Sequence, residues 1–253
     1  MMIYSKIKQY YHYHRIWRKL QARINKDQHL SEPLDFYSQF IEKGSLCFDI
    51  GANIGDKTEL FVRLGAKVVA VEPQQSCRRV LKRRFKDDDV TIESVALAEK
   101  NGSRQMYVDR SHTLATISED WISTVKKSGR FSGHKWPDKL TVQTTTLDEL
   151  IEKHGSPAYC KIDVEGSEFD VLQGLSQPIK TISLEFVPES VKASLKCINY
   201  LDKLGKAEFN YCLNDSNSFA LTNWVDSDRM KAILKEMNKD IENYGDFYVR
   251  FAV

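Results

Sequence analysis

Apolar positions along the chain alternate between short strand-type runs and longer stripes at helical spacing. Residues 45–50 and 67–71 are compact β-rich runs, while 55–64 and 74–85 carry helical periodicity. In 74–85, Cys77, Val80, Leu81 and Phe85 share one face and arginines and lysines the other. Residues 90–98 predict a third strand. Residues 104–108 and 140–145 predict extra strands around a polar insertion, 109–139. That insertion is too long for an ordinary connection, and such loops often serve as lids or binding loops. Beyond it, 158–163 reads as a strand, 167–175 as a helix and 181–187 as a strand. Val191, Leu195, Ile198, Leu201 and Leu204 recur at helical spacing up to Gly205. Runs 207–213 and 218–221 flank Asn214-Asp215-Ser216-Asn217, a hairpin-type turn. Residues 230–241 predict an amphipathic helix and 247–253 a last strand. Alternating β and α elements predict an α/β fold, one doubly wound sheet with helices on both faces.

Charge divides this pattern unevenly. Lys6, Lys8, Arg15, Arg18, Lys19, Arg23 and Lys26 face only Asp27 in the first thirty residues, a net +6 of the whole chain's +2, which leaves −4 for 31–253. Tyr4, Tyr10, Tyr11, Tyr13 and Trp17 are interleaved with those cations. A basic, aromatic helix suits an anionic surface or a membrane interface; an irregular apolar stripe favours an extension packed on the domain instead. Glu32-Pro33 marks an expected break, with residues 1–32 as the extension and 33–253 as one domain carrying the 109–139 insertion. No apolar run approaches a membrane span and no secretory leader is visible, and the five cysteines are odd in number without a C-x-x-C pair. The expectation is a cytoplasmic protein with reduced core cysteines, at most peripheral to the inner face of a membrane through residues 1–30. The net charge of +2 is too small to argue for nucleic acid.

Chemistry concentrates at the first strand. Cys47-Phe48-Asp49-Ile50-Gly51-Ala52-Asn53-Ile54-Gly55 reads as a strand, a glycine turn and a helix start, and Val68-Val69-Ala70-Val71-Glu72-Pro73 as a second strand ending in an acid. Gly51 and Gly55 let the backbone approach a ligand, with Ala52 and Asn53 between them, and the helix N-terminus offers N–H groups. Asp49 at the strand end would repel a pyrophosphate but attract a sulfonium. The spacing is G-x-x-x-G and lacks the dinucleotide fingerprint. Glu72 stands where an acid accepts from ribose hydroxyls, and Ala96-Leu97 could line an adenine slot. This constellation points to S-adenosylmethionine.

The motifs F-D-I-G-A-N-I-G-D, V-V-A-V-E-P, Thr146-Leu147-Asp148-Glu149-Leu150 and Lys161-Ile162-Asp163-Val164-Glu165-Gly166-Ser167-Glu168 resemble those of the FkbM-family methyltransferases, over roughly 44–187. The resemblance implies a Rossmann-like class I fold with a mostly parallel seven-stranded sheet and a reversed last strand. It implies S-adenosylmethionine as methyl donor and O-methylation of a sugar, glycan or other natural-product hydroxyl. It carries over Asp49, Gly51, Asn53 and Glu72 as cofactor contacts and Asp163 as an active-site carboxylate. The 109–139 insertion and the basic front end have no counterpart in it, so the acceptor stays open.

Methyl transfer from a sulfonium is an in-line displacement that needs alignment, and an alcohol acceptor also sheds a proton. Asp163 is the candidate base or acceptor-orienting group. Glu185, between Leu184 and Phe186, needs a reason for its charge and is a second site candidate. His112, at the start of the insertion, is the histidine best suited to act as a base. No histidine or cysteine spacing resembles a structural metal site, so none is assigned, although Asp163 with Glu165 offers ligands for Mg2+. Other readings stay open: a noncatalytic S-adenosylmethionine-binding domain, an NAD(P)-dependent oxidoreductase, and a nucleic-acid methylase, the last lacking an Asn-Pro-Pro-Tyr-type motif.

Overall fold

The computed structural model describes residues 13–20, 31–214, 216–238, 240 and 242–252. Residues 13–20 form a helix, α1. The elements that follow are α2 (Ser31–Ser38), β1 (Leu46–Ile50), α3 (Asp56–Arg63), β2 (Lys67–Val71), α4 (Gln75–Arg84), β3 (Val90–Glu93) and β4 (Ala96–Leu97). Next come β5 (Gly102–Val108), α5 (Glu119–Ser128), β6 (Asp138–Thr145), α6 (Leu147–His154), β7 (Tyr159–Ile162), α7 (Glu168–Leu172) and β8 (Thr181–Phe186). The chain closes with α8 (Val191–Leu204), β9 (Ala207–Leu213), α9 (Ser227–Met237) and β10 (Gly245–Phe251).

Seven strands form one sheet in the order β3-β2-β1-β7-β8-β10-β9. β1, β2, β3, β7 and β8 run parallel, and β10 lies antiparallel between β8 and β9. This is the expected mostly parallel sheet with its last strand reversed. The central strands are apolar almost throughout because both faces are covered. Alternation sends Phe48, Ile50, Val69, Val71, Cys160, Ile162, Ile182 and Leu184 to one face, where α6, α7, α8 and α9 seal them. The opposite face carries Cys47, Val68, Tyr159 and Tyr248 against Phe36 and Tyr37 of α2 and Leu60 and Phe61 of α3. Farther along the same face the pattern turns ionic: Asp49 on β1, Lys161 on β7 and Asp246 on β10 are its next members. All five cysteines are buried and unpaired.

Several elements differ from the sequence expectation. The run 90–98 is two strands, because β3 ends level with β2 (Val71 opposite Glu93) and the chain then leaves the sheet. β4 pairs with β6 and β6 with β5 in a separate three-stranded sheet. The insertion is partly ordered into α5, capped by Ser118, whose hydroxyl accepts from Trp121 N, and ended by Gly129 at φ 85°. Leu114, Trp121, Val125 and Trp136 give it a small core of its own. Residues 218–221 are not a strand; β9 takes β10 as its ladder partner, leaving a backbone bond from Ala220 N to Tyr211 O and two bonds between Leu221 and the Asn210 side chain. Pro33 sits in the first turn of α2, where its missing N–H costs nothing.

Candidate active site

A cavity of about 560 Å³ opens at the carboxyl ends of β1, β2, β4 and β7, the crevice where open α/β sheets bind ligands. Asp49, Gly51, Ala52, Asn53, Glu72, Ala96, His112, Asp163 and Glu165 line it together, joined by Ile16, Lys19 and Leu20 of α1. The two carboxylates on which the cofactor expectation rests therefore share one cleft.

Asp49 is 3% exposed, and Thr58 Oγ1 donates to it at 2.5 Å. Burial pushes its pKa up to about 6, against the pull of Thr58 and Lys161. Glu72 is also 3% exposed and accepts from Asn53 N at 2.9 Å and Gln74 N at 2.6 Å. Burial raises it to about 7 although those N–H groups favour its charged form. At both acids burial outweighs the pull of the nearby cations, Lys161 and Lys57 at Asp49 and Arg78 at Glu72.

The glycine turn works mainly by shape. Gly51 N and Ala52 N both donate to Val71 O, Gly55 N donates to Ala52 O, and Asn53 N is held by Glu72. The N–H groups expected to meet a ligand at these four positions are engaged within the protein. Gly51 has φ 85°, and a Cβ there would overlap the carbonyl oxygen of Asp163. Gly55 (φ 88°) is the N-cap of α3, and a Cβ there would strike Phe85 and Leu81. Gly55 does not line the cavity; it sets how closely α3 and α4 pack. Ala96 forms an apolar wall with Val95, Leu97, Met106 and Ala115, wide enough in chemistry for a flat ring.

His112 is brought over this turn by the insertion. Its Nδ1–H donates to Asn53 Oδ1, and its carbonyl accepts from Gln74 Nε2 at 2.9 Å and Asn53 Nδ2 at 3.4 Å. His112 therefore ties the insertion to both halves of the turn. His134 lies elsewhere, its Nδ1 2.8 Å from Asp109 Oδ1. Burial works to raise Asp109, but the N–H of Ser111 and the His134 ring hold it down to about 2.

On the β7–β8 side the acids crowd. Asp163, Glu165 and Glu185 bring carboxylate oxygens within 4.8 Å of one another. Glu165 has φ 53°, and its carbonyl accepts from Thr116 Oγ1 at 2.7 Å. Burial and mutual repulsion push Glu165 and Glu185 well above the usual carboxylate range. Asp163 is the member most clearly presented to the cavity, with its side chain 38% exposed. Glu185 joins the cluster from behind and does not line the main cavity.

Sequence reasoning gave no role to three groups that organise this side. Lys161, 2% exposed, donates to Asp246 Oδ1 at 2.7 Å and lies 3.5 Å from Asp163 Oδ2. Burial works against its charge, but Asp246 and Asp163 hold the ammonium above its ordinary range. Asp246 in turn is held low by Lys161 despite burial. Glu168 accepts from Val164 N at 3.2 Å and Gly166 N at 3.1 Å and so fixes the turn that carries Asp163 and Glu165. A lysine inside a fully apolar strand was the available signal for the first; nothing local marks Asp246 as its partner.

A family model described as Methyltransferase FkbM domain matches residues 49–206, which take in every cavity residue named above outside α1. No curated protein matches the chain. Solved structures similar to it include a TehB-like SAM-dependent methyltransferase from Corynebacterium glutamicum (7% identity, 96% of this chain and 98% of that one, TM-score 0.47). Others are a precorrin-6y C5,15-methyltransferase from Geobacter metallireducens (10% identity, 87% of each chain, TM-score 0.45) and an rRNA methylase from Streptococcus thermophilus (10%, 90% and 98%, TM-score 0.44).

Proposed function

The chain belongs to the FkbM methyltransferase family and is an S-adenosylmethionine-dependent methyltransferase; from that premise we propose that its acceptor is a hydroxyl of a sugar, a glycan or another small molecule. We take 33–253 as the catalytic domain and 1–32 as an added segment. The five buried, unpaired cysteines favour a reducing, cytosolic setting.

The observation that carries the reading is the order of acids along the sheet rim: Glu72 after β2, Asp49 on β1, Asp163 after β7, Glu185 on β8. The cavity volume, about 560 Å³, falls in the range of cofactor sites. Asp49 and Glu72 are buried acids that a positive ligand would return to their charged form, so the donor set fits the cofactor. Asp49, Gly51, Ala52 and Asn53 would cradle the amino-acid end, Glu72 the ribose and Ala96 the adenine, with Gly55 setting the turn. The chemistry supplied there is a methyl group on a positively charged sulfur.

The rest falls to the chain's own side chains. Asp163 is placed to accept the hydroxyl proton as the new C–O bond forms, while Lys161 fixes its orientation and Glu165 and Glu185 share the proton afterwards. His112 orients Asn53 at the cavity wall; the pairing of its Nδ1 makes positioning its role ahead of base. Asp163, Glu165 and Glu185 are the residues that would hold Mg2+, which would supply a positive charge to orient the acceptor hydroxyl.

The test is product analysis. Purified protein is incubated with deuteromethyl-labelled S-adenosylmethionine and a panel of sugars, glycans and amines, and the label is located by mass spectrometry. An O-methyl product is expected. Label confined to nitrogen or carbon, or cofactor binding with no transfer at all, would sink this reading, the latter in favour of a noncatalytic binding domain.

A further inference from the structure

α1 is a short basic helix whose apolar positions are already used. Ile16 and Leu20 are buried against Ile54, Cys77 and Val80. Trp17 is covered by the Arg83 guanidinium, 4.2 Å from its ring centre. A helix that enters a bilayer needs a free apolar face, and among the described residues α1 has none left.

Arg15 of this helix is bonded to the Arg110 carbonyl, but its other two cations are not engaged in this way. Arg18 and Lys19 on α1 and Arg79 and Lys82 on α4 are exposed, and among the described residues none has a carboxylate partner. Arg84 on the same helix α4 shows the alternative, held by Asp56 at 2.9 Å and by Glu59. Neither 13–20 nor α4 contains an acidic residue. Unpaired cations concentrated on two packed helices cost the folded state some repulsion that a nearby anionic surface would relieve. In sequence, residues 1–20 hold five lysines and arginines, four tyrosines and one tryptophan, with no acid.

We propose that the α1–α4 face docks the protein on an anionic bilayer through headgroup phosphates, without helix insertion. Lys19 belongs both to this face and to the cavity wall, so docking turns the cavity mouth toward the membrane plane. This sharpens the peripheral membrane contact expected of residues 1–30 by naming the surface and by adding α4 to it. It does not depend on which hydroxyl is methylated. A nucleic-acid partner fits less well. The face of Trp17 on which a base would stack is taken by Arg83.

The full chain is sedimented with phosphatidylcholine vesicles with and without phosphatidylglycerol, at low and raised salt. Binding is expected only to the anionic vesicles, weakening with salt. Each cation removed lowers the partition coefficient about fivefold, so Arg79→Gln with Lys82→Gln lowers it about 25-fold. Cofactor binding, measured by calorimetry, stays unchanged in that double variant and shows that it is folded. Equal binding to neutral vesicles, no vesicle binding, or undiminished binding by the double variant each overturns the proposal. So does tight binding of a structured RNA without vesicle binding, which assigns the face to nucleic acid. Loss of O-methyl product in the assay above would leave the vesicle result standing.

Discussion

The two halves of the cavity treat negative charge differently. On the β1–β2 side each acid stands apart among neutral donors: Asp49 with the Thr58 hydroxyl, Glu72 with two backbone N–H groups. On the β7–β8 side Asp163, Glu165 and Glu185 press on one another, with the buried Lys161 between them and Asp246. In the first half burial is the main cause that raises the acids, with a smaller push on Asp49 from Asp163, and a cation is the natural remedy. In the second, repulsion adds to burial, and sharing a proton is the remedy that needs no ligand. A site that holds a sulfonium donor and, as proposed, takes a proton from a hydroxyl needs both.

The contrast predicts effects that separate the halves. Asp163→Asn should lower the methylation rate by ~10²–10⁴ while cofactor affinity stays within about threefold; turnover near wild type would remove Asp163 from the chemistry. Glu72→Gln should do the reverse. It trades a charged acceptor for a neutral one, and S-adenosylmethionine should bind about 10–100-fold more weakly; unchanged calorimetric affinity would dissolve the division.

Acidity offers a third check. Asp49 and Glu72 sit near 6 and 7 in the fold, against ordinary values of 3.8 and 4.5. The folded apo protein holds these protons more tightly than the unfolded chain. Their contribution to stability is therefore full below about pH 4 and is lost as pH rises through their folded values of about 6 and 7. A cationic ligand prefers the charged acids, so its Kd should tighten about tenfold per pH unit across that window. A flat Kd between pH 5.5 and 7.5 would show that neither acid senses the ligand. The smallest effect expected is from His112→Ala. Loss of its hydrogen bond to Asn53 should raise the cofactor Kd about threefold and leave the pH slope intact, whereas loss of the slope would make His112 a titrating part of the site.

Legibility in the sequence followed the same division. The cofactor half lies in two contiguous runs, and Asp49, Gly51, Asn53 and Glu72 could be picked out because one strand, one turn and one strand end place them. The acid cluster is assembled from a turn after β7 and from β8, and its lysine is neutralised from β10, 85 residues away. No local pattern pairs Lys161 with Asp246; only the antiparallel insertion of β10 beside β8 does. Fold class was readable because the buried strands are apolar on both faces. The split of 90–98 was not, since Ser94 and Val95 leave its β-type composition unchanged while the chain changes sheets. The insertion read as loop because its caps, Ser118 and Gly129, sit in a stretch rich in serine and glycine.

The crowding of Gly51 against the Asp163 carbonyl has a consequence for how such an enzyme can diversify. Under the proposed roles the donor and acceptor sides meet where main-chain atoms of β1 and β7 set the spacing, and a side chain at position 51 would disturb it. New acceptors must be accommodated from above, by rebuilding the 109–139 segment and the helix at the front, while the rim beneath them stays as a fixed gauge.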